Sequence, residues 1–217
     1  MTAGNVRPEG TRPILLLDLD EVLFPFADAY DRWLACRRGY GLDPVLKRAY
    51  DVGAAAGSGH RELAVQFVND PAVIATVPPR SNARSALRVL EQTYTLMACT
   101  SRREALEGEA TRAWLRRYFP EVNEALFTSQ DHSSPVRTKA ALAEEVGAAA
   151  LVDDTMQHLA DLPPTCVGLL LKRPPGMQSE PGSRHWATTV RVLLEPGHRP
   201  EPASGEARVL AEEGRNR

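Results

Sequence analysis

The stretch ILLLDLDEVLFPF, residues 14–26, decides how the rest of the sequence is interpreted. Its apolar run Ile14 to Leu17 leads directly into Asp18 and Asp20, after which the chain becomes apolar again. Two carboxylates this close together oppose joint ionisation, and burial beside a strand makes each charge costlier still. Such an arrangement requires a compensating cation or a reaction that uses the acids.

The size and charge of the chain limit its fold and its partners. Its 217 residues suffice for one sizeable domain with an insertion and are too few for two large ones. The 26 basic and 28 acidic side chains give a net charge of -2 and a pI near 6.2. This balance lacks the basic excess of a protein that binds polynucleotides by their backbone, so a polynucleotide partner is not favoured.

No apolar run has membrane-spanning length, and the first residues contain no signal-peptide core. We therefore expect a soluble cytoplasmic protein with no membrane partner. The cysteines show no metal-ligand spacing, and Cys99 and Cys166 fall in apolar runs where a thiol behaves as a small hydrophobe. We expect both of them, and Cys36, to pack in the core.

Apolar runs alternate with helix-like segments along most of the chain. Most of the runs are continuously apolar, as is typical of parallel strands that are covered on both faces. The pattern predicts an α/β fold with a doubly wound parallel sheet, right-handed crossovers and a ligand site at the carboxyl ends of the strands. The predicted strands are residues 14–17, 94–99, 125–128, 148–152 and 166–171, and the predicted helices are residues 81–92, 103–119 and 138–147.

The interval 27–78 breaks this alternation and is longer than a crossover requires. Tyr30, Trp33 and Leu34 share one helical face within it. We therefore predict a small helical cap, inserted after the first strand over the active end of the sheet. The predicted division is a flexible N-terminus at residues 1–11, a core domain with this insertion at 12–195, and a disordered tail rich in Pro, Gly and charge at 196–217.

Polar signatures follow the later strands and open one of the helices. They are Thr100 and Ser101 after the second strand, Lys139 at a helix start, and Asp153 and Asp154 at the end of a later strand. Each alone is weak, because such residues also cap helices or lie in solvent. Together with the acids of the opening stretch they fall on one rim of the sheet, and so they predict a site.

These residue types suit phosphoryl transfer. A carboxylate can attack a phosphoryl group and hold it as an aspartyl-phosphate, and Asp18 is placed for that attack. Asp20 lies two residues further on the same side of an extended segment, where it can protonate the leaving oxygen and later take a proton from water. Thr100 and Lys139 can bind the phosphoryl oxygens. Mg²⁺ would relieve the repulsion between Asp18 and the later acid pair.

The ordered set DxD, TS, K and DD resembles the haloacid dehalogenase superfamily of phosphohydrolases, over residues 12–172. Within that superfamily the chain most resembles the 5'(3')-deoxyribonucleotidases. DLDEVLFPF is similar to their first motif, CTSRR to their second, AWLRRYFP to the helix that follows it, and LVDDT to their fourth. HWATTVRVLL resembles their closing segment, with Trp186 leading the last helix.

The resemblance implies a fold of the haloacid dehalogenase type and hydrolysis of nucleoside 5'-monophosphates, with Mg²⁺ as cofactor and Phe26 stacked on the nucleobase. A homodimer is compatible with it, and the oligomeric state is left open. Glu21 replaces the glycine that normally follows the second acid, Pro25 replaces an acid, and Lys139 lies farther ahead of Asp153 than is usual in that family. These departures affect the substrate assignment more than the reaction class.

The predicted site combines three roles. The catalytic residues are Asp18, Asp20, Thr100 and Lys139; the substrate-binding residues are Phe26, Thr100, Ser101, Arg102 and Lys139; the metal ligands are Asp18, Asp20, Asp153 and Asp154.

Other functions remain open at this point. A response-regulator receiver also combines a doubly wound sheet with a phosphorylated aspartate, a Thr and a Lys, but the order of its acids along the chain differs. A regulatory phospho-acceptor without turnover would not need Asp20. Among active enzymes, the alternatives are a phosphatase for another small metabolite or for a polynucleotide 3' end.

Overall fold

A computed structural model describes residues 12–43, 58–131, 134–173 and 184–195. Its centre is a parallel sheet of five strands, which are β1 (Ile14–Leu17), β2 (Thr95–Arg103), β3 (Val122–Ser129), β4 (Ala150–Asp153) and β5 (Val167–Leu170). Their order in the sheet is β3-β2-β1-β4-β5. This order places β1 in the middle and sends the chain first to one side and then to the other. This is the doubly wound α/β fold that the sequence predicts.

The central strand shows why its apolar run is uninterrupted. Leu15 and Leu17 belong to the core on one face of the sheet, and Leu16 belongs to the core on the other face. All three side chains are completely buried. Because successive side chains of a strand point to opposite faces, a strand covered on both faces needs apolar residues at every position.

Helices cover both faces of the sheet. The helices are α1 (Phe26–Arg38), α2 (Ser58–Val68), α3 (Pro71–Ile74), α4 (Ala83–Leu90), α5 (Glu104–Tyr118), α6 (Lys139–Glu145), α7 (Met156–Leu159) and α8 (Trp186–Leu194). One face of the sheet carries α4, α5 and α8, while the shorter α6 and α7 cover the other. The intervals 81–92, 103–119 and 138–147, which the sequence predicts to be helical, contain α4, α5 and α6.

The insertion between β1 and β2 is helical, as predicted. Helices α1 and α2 meet at Phe67 of α2, whose ring lies 5.6 Å from that of Tyr30 and 5.8 Å from that of Trp33 on α1. The insertion is joined to α5, because the Trp114 indole N–H donates to the carbonyl of Val77 and the Tyr118 hydroxyl donates to that of Ala75. The predicted aromatic face on α1 is therefore buried as the core of the insertion.

Two strands, β2 and β3, differ from their predicted bounds by three residues or more at one end. β3 begins at Val122 rather than 125, because it is an edge strand whose Asn123 and Glu124 are exposed and so break the apolar pattern. β2 continues to Arg103, beyond the apolar run that ends at Cys99.

The placement of the cysteines corrects one prediction. Cys99 and Cys166 are buried as expected, but Cys36 is exposed on α1, because its position faces away from the aromatic core of the insertion. None of the described helices is long and apolar enough to cross a bilayer. The predicted flexible N-terminus and disordered tail lie outside the described residues.

Candidate active site

The sheet brings Asp18 and Asp153 together at the carboxyl ends of β1 and β4. Leu17 pairs with Val152, and the amide of Asp18 donates to the carbonyl of Val152 at 2.9 Å. The next residue on each strand is therefore an aspartate, at the edge where parallel α/β sheets bind ligands. Both carboxylates are buried.

Lys139 joins these two acids. Its ammonium lies 2.5 Å from Oδ1 of Asp18 and 2.6 Å from Oδ2 of Asp153. The side chain reaches them from the first residue of α6, where the preceding Thr138 caps the helix by accepting the amide of Ala141 at 3.0 Å. Only 1% of the Lys139 side chain is exposed, so its charge is neutralised by the acids rather than by water.

Asp154 completes a group of three buried carboxylates. Oxygen atoms of Asp18, Asp153 and Asp154 all lie within 4.8 Å of one another. Carboxylate oxygens are the ligands that Mg²⁺ prefers, and the three acids exceed the two positive charges of Lys139 and Arg173 that contact them. The donor set and its negative excess therefore fit a hard divalent cation. The carboxylate of Asp20, also predicted as a metal ligand, lies outside this group and faces Arg102.

The pKa values of Asp18 and Asp153 are shifted in opposite directions. Burial raises the pKa of Asp18, and Asp153 and Asp154 raise it further against the opposing effect of Lys139. Burial also acts on Asp153, but Lys139 and His158 outweigh it and lower the pKa of Asp153 below its usual value. Burial would lower the pKa of Lys139, yet the acids raise it above its usual value, so the ammonium stays charged. An added cation would favour the ionised form of Asp18.

Two residues that the sequence analysis did not assign lie against the acids. Arg173, just after β5, donates from Nε to Oδ2 of Asp154 at 2.6 Å. Nδ1 of His158, on α7, lies 3.1 Å from both carboxylate oxygens of Asp153. Arg173 follows a strand at the functional edge, which is a signal that could have indicated it; His158 has no such signal.

Asp20 is held by Arg102. The guanidinium donates from Nε to Oδ2 of Asp20 at 3.0 Å and from Nη2 to Oδ1 at 2.6 Å. The same guanidinium lies over the ring of Phe24, 4.7 Å from its centroid, and Nη1 donates to the hydroxyl of Thr111 at 3.1 Å. Arg102, predicted as a substrate contact, is thus engaged with the second acid of the DxD pair.

Thr100 and Ser101 lie at the end of β2, next to β1. Thr100 is buried and its hydroxyl accepts the amide of Arg102 at 3.2 Å, whereas Ser101 is exposed. Since Leu17 pairs with Ala98, Thr100 follows the pairing by two residues and lies at the same edge as the acids. Both predicted residues are therefore at the functional edge of the sheet.

Glu21 lies in a tight turn directly after Asp20. Its φ of 62° is left-handed, a conformation that usually favours glycine. The carboxylate accepts the amide of Ala27 at 2.7 Å, and the guanidinium of Arg80 donates to its carbonyl. Burial raises the pKa of Glu21 to about 7. The Glu21 carboxylate thus accepts a backbone N–H from the first turn of α1. Pro25, the N-cap residue of α1, has no side chain that could do so.

Phe26 opens α1, directly after this turn, and is partly buried. Its ring is stacked on Tyr30 at 5.6 Å and meets Phe67 edge-on at 5.6 Å. The ring of the predicted base-stacking residue is therefore packed against the aromatic core of the insertion.

Solved structures with a similar fold include several whose names contain HAD-hydrolase, HAD-superfamily hydrolase or haloacid dehalogenase-like. A protein from Bacillus subtilis classed as a HAD-hydrolase and solved with bound magnesium is 13% identical, with 85% of this chain and 100% of that chain covered and a TM-score of 0.54. The chain has the haloacid dehalogenase-like fold.

Two further structures share this fold. A predicted phosphoglycolate phosphatase from Haemophilus somnus is 14% identical, with 86% of this chain and 100% of that chain covered and a TM-score of 0.54. An L-2-haloacid dehalogenase is 11% identical, with 85% and 100% covered and a TM-score of 0.56. No family model matches the chain, and no curated protein matches it in sequence.

Proposed function

We propose that this protein is a magnesium-dependent phosphomonoester hydrolase that forms an aspartyl-phosphate on Asp18. The observation that carries the proposal is the buried contact of Lys139 with Asp18 and Asp153 at the carboxyl edge of the sheet. Lys139 occupies Oδ1 of Asp18, and no donor contacts Oδ2 among the residues that the structure describes. Oδ2 of Asp18 is the nucleophile of the proposed reaction.

The reaction divides into two displacements. In the first, the Asp18 oxygen forms a bond to phosphorus, the bond from phosphorus to the substrate oxygen breaks, and Asp20 gives its proton to that oxygen. In the second, water attacks phosphorus, the bond to Asp18 breaks, and Asp20 accepts the proton of the water. Free phosphate is released, and both aspartates return to their initial states.

The remaining residues stabilise charge. Lys139 and Thr100 bind the phosphoryl oxygens, whose negative charge is spread over the transition state. Asp18, Asp153 and Asp154 would hold Mg²⁺, which supplies positive charge to the phosphoryl group and the acids when bound. Arg173 and His158 orient Asp154 and Asp153 through the contacts described above.

Asp20 favours phosphate ester hydrolysis over halide displacement. One similar structure is an L-2-haloacid dehalogenase, and a buried aspartate nucleophile would serve either reaction. Halide leaves as a stable anion without a proton, whereas an alkoxide leaving group requires one. A second carboxylate two residues after the nucleophile supplies that proton.

As the substrate we propose a nucleoside 5'-monophosphate. Phe26 supports this, because its ring is only partly buried and an aromatic ring can stack on a nucleobase, which contributes about 1 to 3 kcal/mol per base. Another small metabolite is the alternative. A polynucleotide end is disfavoured by the net charge of -2.

The reaction class is tested by hydrolysis of an aryl phosphate. We expect turnover in Mg²⁺, none in chelator, and none in D18N, because that variant lacks the attacking carboxylate. D161N is the matched control, since Asp161 is an exposed acid in the loop between α7 and β5, and we expect it to retain full activity. Turnover by D18N, or full activity in chelator, contradicts the proposal.

The substrate class is tested with a panel of nucleotides, sugar phosphates and 3'-phosphorylated oligonucleotides. F26L keeps an apolar side chain but removes the flat ring. We expect it to raise KM for a nucleotide roughly tenfold and to leave an aryl phosphate nearly unchanged. A preference for sugar phosphates, or equal damage to every substrate, rejects the nucleotide and leaves the phosphatase proposal intact.

A further inference from the structure

Arg102 is a buried cation whose surroundings fix it in one position. Only 4% of its side chain is exposed. The face of the guanidinium lies on the Phe24 ring, and Nη1 donates to the Thr111 hydroxyl on α5. Thr111 and Phe24 are themselves completely buried. Because a planar guanidinium packed on a ring and bonded at its edge loses little further freedom, Arg102 is rigid before it meets a carboxylate.

Asp20 is the more exposed partner of this ion pair. Its side chain is 33% exposed and so reaches solvent, whereas that of Arg102 is buried. The two N–H···O contacts are parallel and bidentate, a geometry that fixes the plane of the carboxylate as well as its distance. Arg102 is therefore the anchor in this pair, and Asp20 is the group that is placed.

The backbone around Asp20 is anchored by the same arginine. Asp20 and Phe24 form a β-bridge across the turn that contains Glu21, and the amide of Phe24 donates to the carbonyl of Leu19 at 2.8 Å. Arg102 bonds the side chain on one side of this bridge and stacks on the ring on the other side. It thus fixes the turn and the carboxylate as one unit.

We propose that Arg102 is a positioning residue that fixes the Asp20 carboxylate for proton transfer, rather than a residue that binds substrate. The proposal rests on the proposed function. In the first displacement the proton passes from Asp20 to the leaving oxygen, and in the second it passes from the attacking water to Asp20. Both transfers require the same carboxylate plane, and the bidentate contact defines it.

Replacement of Arg102 should therefore lower kcat and leave KM nearly unchanged. Substrate contacts made by Lys139 and Thr100 do not depend on Arg102, so KM and inhibition by inorganic phosphate should change by less than about twofold. Misplacement of a catalytic group by an ångström can cost on the order of 100-fold, so kcat should fall roughly 10- to 100-fold in R102Q. R102K retains the charge but not the bidentate fork, and we expect it to recover only part of the loss.

The decisive experiment is a double-mutant cycle with an aryl phosphate. We expect R102Q combined with D20N to have the same kcat as D20N alone, because an anchor has no effect once the group it places is gone. An independent structural role would multiply the two losses. T111V supplies a second variant that keeps the arginine and a similar volume, and it should lower kcat by a smaller factor with KM unchanged.

Several results would overturn the proposal. A rise in KM or in the phosphate inhibition constant of R102Q, with kcat retained, would make Arg102 a substrate contact. Additive losses in the double variant would give it an independent role. If R102Q does not fold, a full wild-type kcat in both R102K and T111V would also overturn the proposal. Wild-type protein without turnover, or D18N with turnover, would end both proposals, whereas activity that D18N loses and R102Q keeps would end only this one.

Discussion

Arg173 is the counter-ion of Asp154, one of the three buried acids at the carboxyl edge of the sheet. It contacts Oδ2 of Asp154 at 2.6 Å and donates to the hydroxyl of Thr155 at 3.3 Å. Burial and the charge of Asp153 raise the pKa of Asp154, and Arg173 opposes them. An acid in this position is costly without a partner, because removal of one member of a buried ion pair leaves an uncompensated charge.

We predict that R173Q destabilises the protein in chelator and that Mg²⁺ restores much of the loss. The expected loss in the free energy of unfolding is about 3 to 5 kcal/mol, measured by urea denaturation. A divalent cation bound at the acids would compensate the charge on Asp154, so the Mg²⁺-dependent rise in Tm should be larger for R173Q than for wild type.

The control for R173Q is R191Q. Arg191 is 68% exposed and lies 3.8 Å from Glu195, an ion pair of the kind that contributes about 0 to 1 kcal/mol. Equal losses in R173Q and R191Q would contradict the assignment of Arg173 as counter-ion. An equal Mg²⁺ response in R173Q and wild type would contradict metal binding by Asp154.

Single residues also mark the limit of the sequence analysis. Asp18, Asp153 and Lys139 could be predicted to meet because strand ends and a helix start share one edge of the sheet. The place of Arg173 after a strand indicates this edge, but its contact with Asp154 and the contact of Arg102 with Asp20 could not be predicted, since a side chain near a strand end can turn inward or outward. Its direction depends on packing against Phe24 or on a buried acid, which are tertiary contacts.

At the scale of elements, Asp70 connects two helices of the insertion. Its side chain accepts the amide of Ala72 as the N-cap of α3, immediately after α2. It also accepts the Trp33 indole N–H at 3.2 Å and a guanidinium N–H of Arg37 at 2.6 Å, both from α1. One carboxylate thus caps one helix and binds another.

We predict that D70A destabilises the protein by about 1 to 2 kcal/mol, the upper part of the range for loss of an N-cap. D70N is the matched control, because Asn is an equally good N-cap, and it should lose less than half as much. The exposed contact with Arg37 adds little. Equal losses in D70A and D70N would assign the effect to charge rather than to the cap.

The effect of D70A should depend on pH. Hydrogen bonds from Arg37 and Trp33 lower the pKa of Asp70 in the folded protein. Its carboxylate therefore stabilises the fold fully above the unfolded-state pKa, and this contribution is lost as the pH falls through the folded-state pKa. The Tm difference between wild type and D70A should narrow in acid.

The elements themselves were predicted with unequal success. α4, α5 and α6 occupy the intervals that their helical period indicates, and the insertion is helical where the alternation of strands and helices breaks. The start of β3 was missed because Asn123 and Glu124 follow the edge of the sheet rather than an apolar pattern. The ends of an edge strand can be exposed, so their residues need not follow an apolar pattern. Such ends are therefore poorly predicted from hydrophobic periodicity.

At the scale of the whole molecule, the sheet explains why residues far apart in sequence form one site. Asp18 and Lys139 are separated by 121 positions, yet both lie at the carboxyl edge of the sheet. They meet there because β1 ends and α6 begins at that edge. The continuous apolar runs were sufficient to predict this parallel arrangement, since only strands covered on both faces require them.

The two-sided core can be tested through the cysteines. Cys99, on β2, and Cys166, before β5, belong to the same apolar cluster on one face of the sheet, whereas Cys36 is exposed on α1. Burial raises the pKa of Cys99 and of Cys166 to about 12. At pH 8 only on the order of one molecule in 10⁴ carries either thiolate, and the thiolate is the reactive form.

We therefore predict that a disulfide reagent at pH 8 modifies one thiol of the native protein rapidly and the other two only as fast as the molecule unfolds. C36S should abolish the rapid phase and leave the slow one unchanged, because Cys36 takes no part in the core. The slow phase should accelerate with denaturant in parallel with global unfolding, since both cysteines lie in the layer between the sheet and α6 and α7. A second rapid thiol in the native protein would show that this layer opens independently of the rest of the fold.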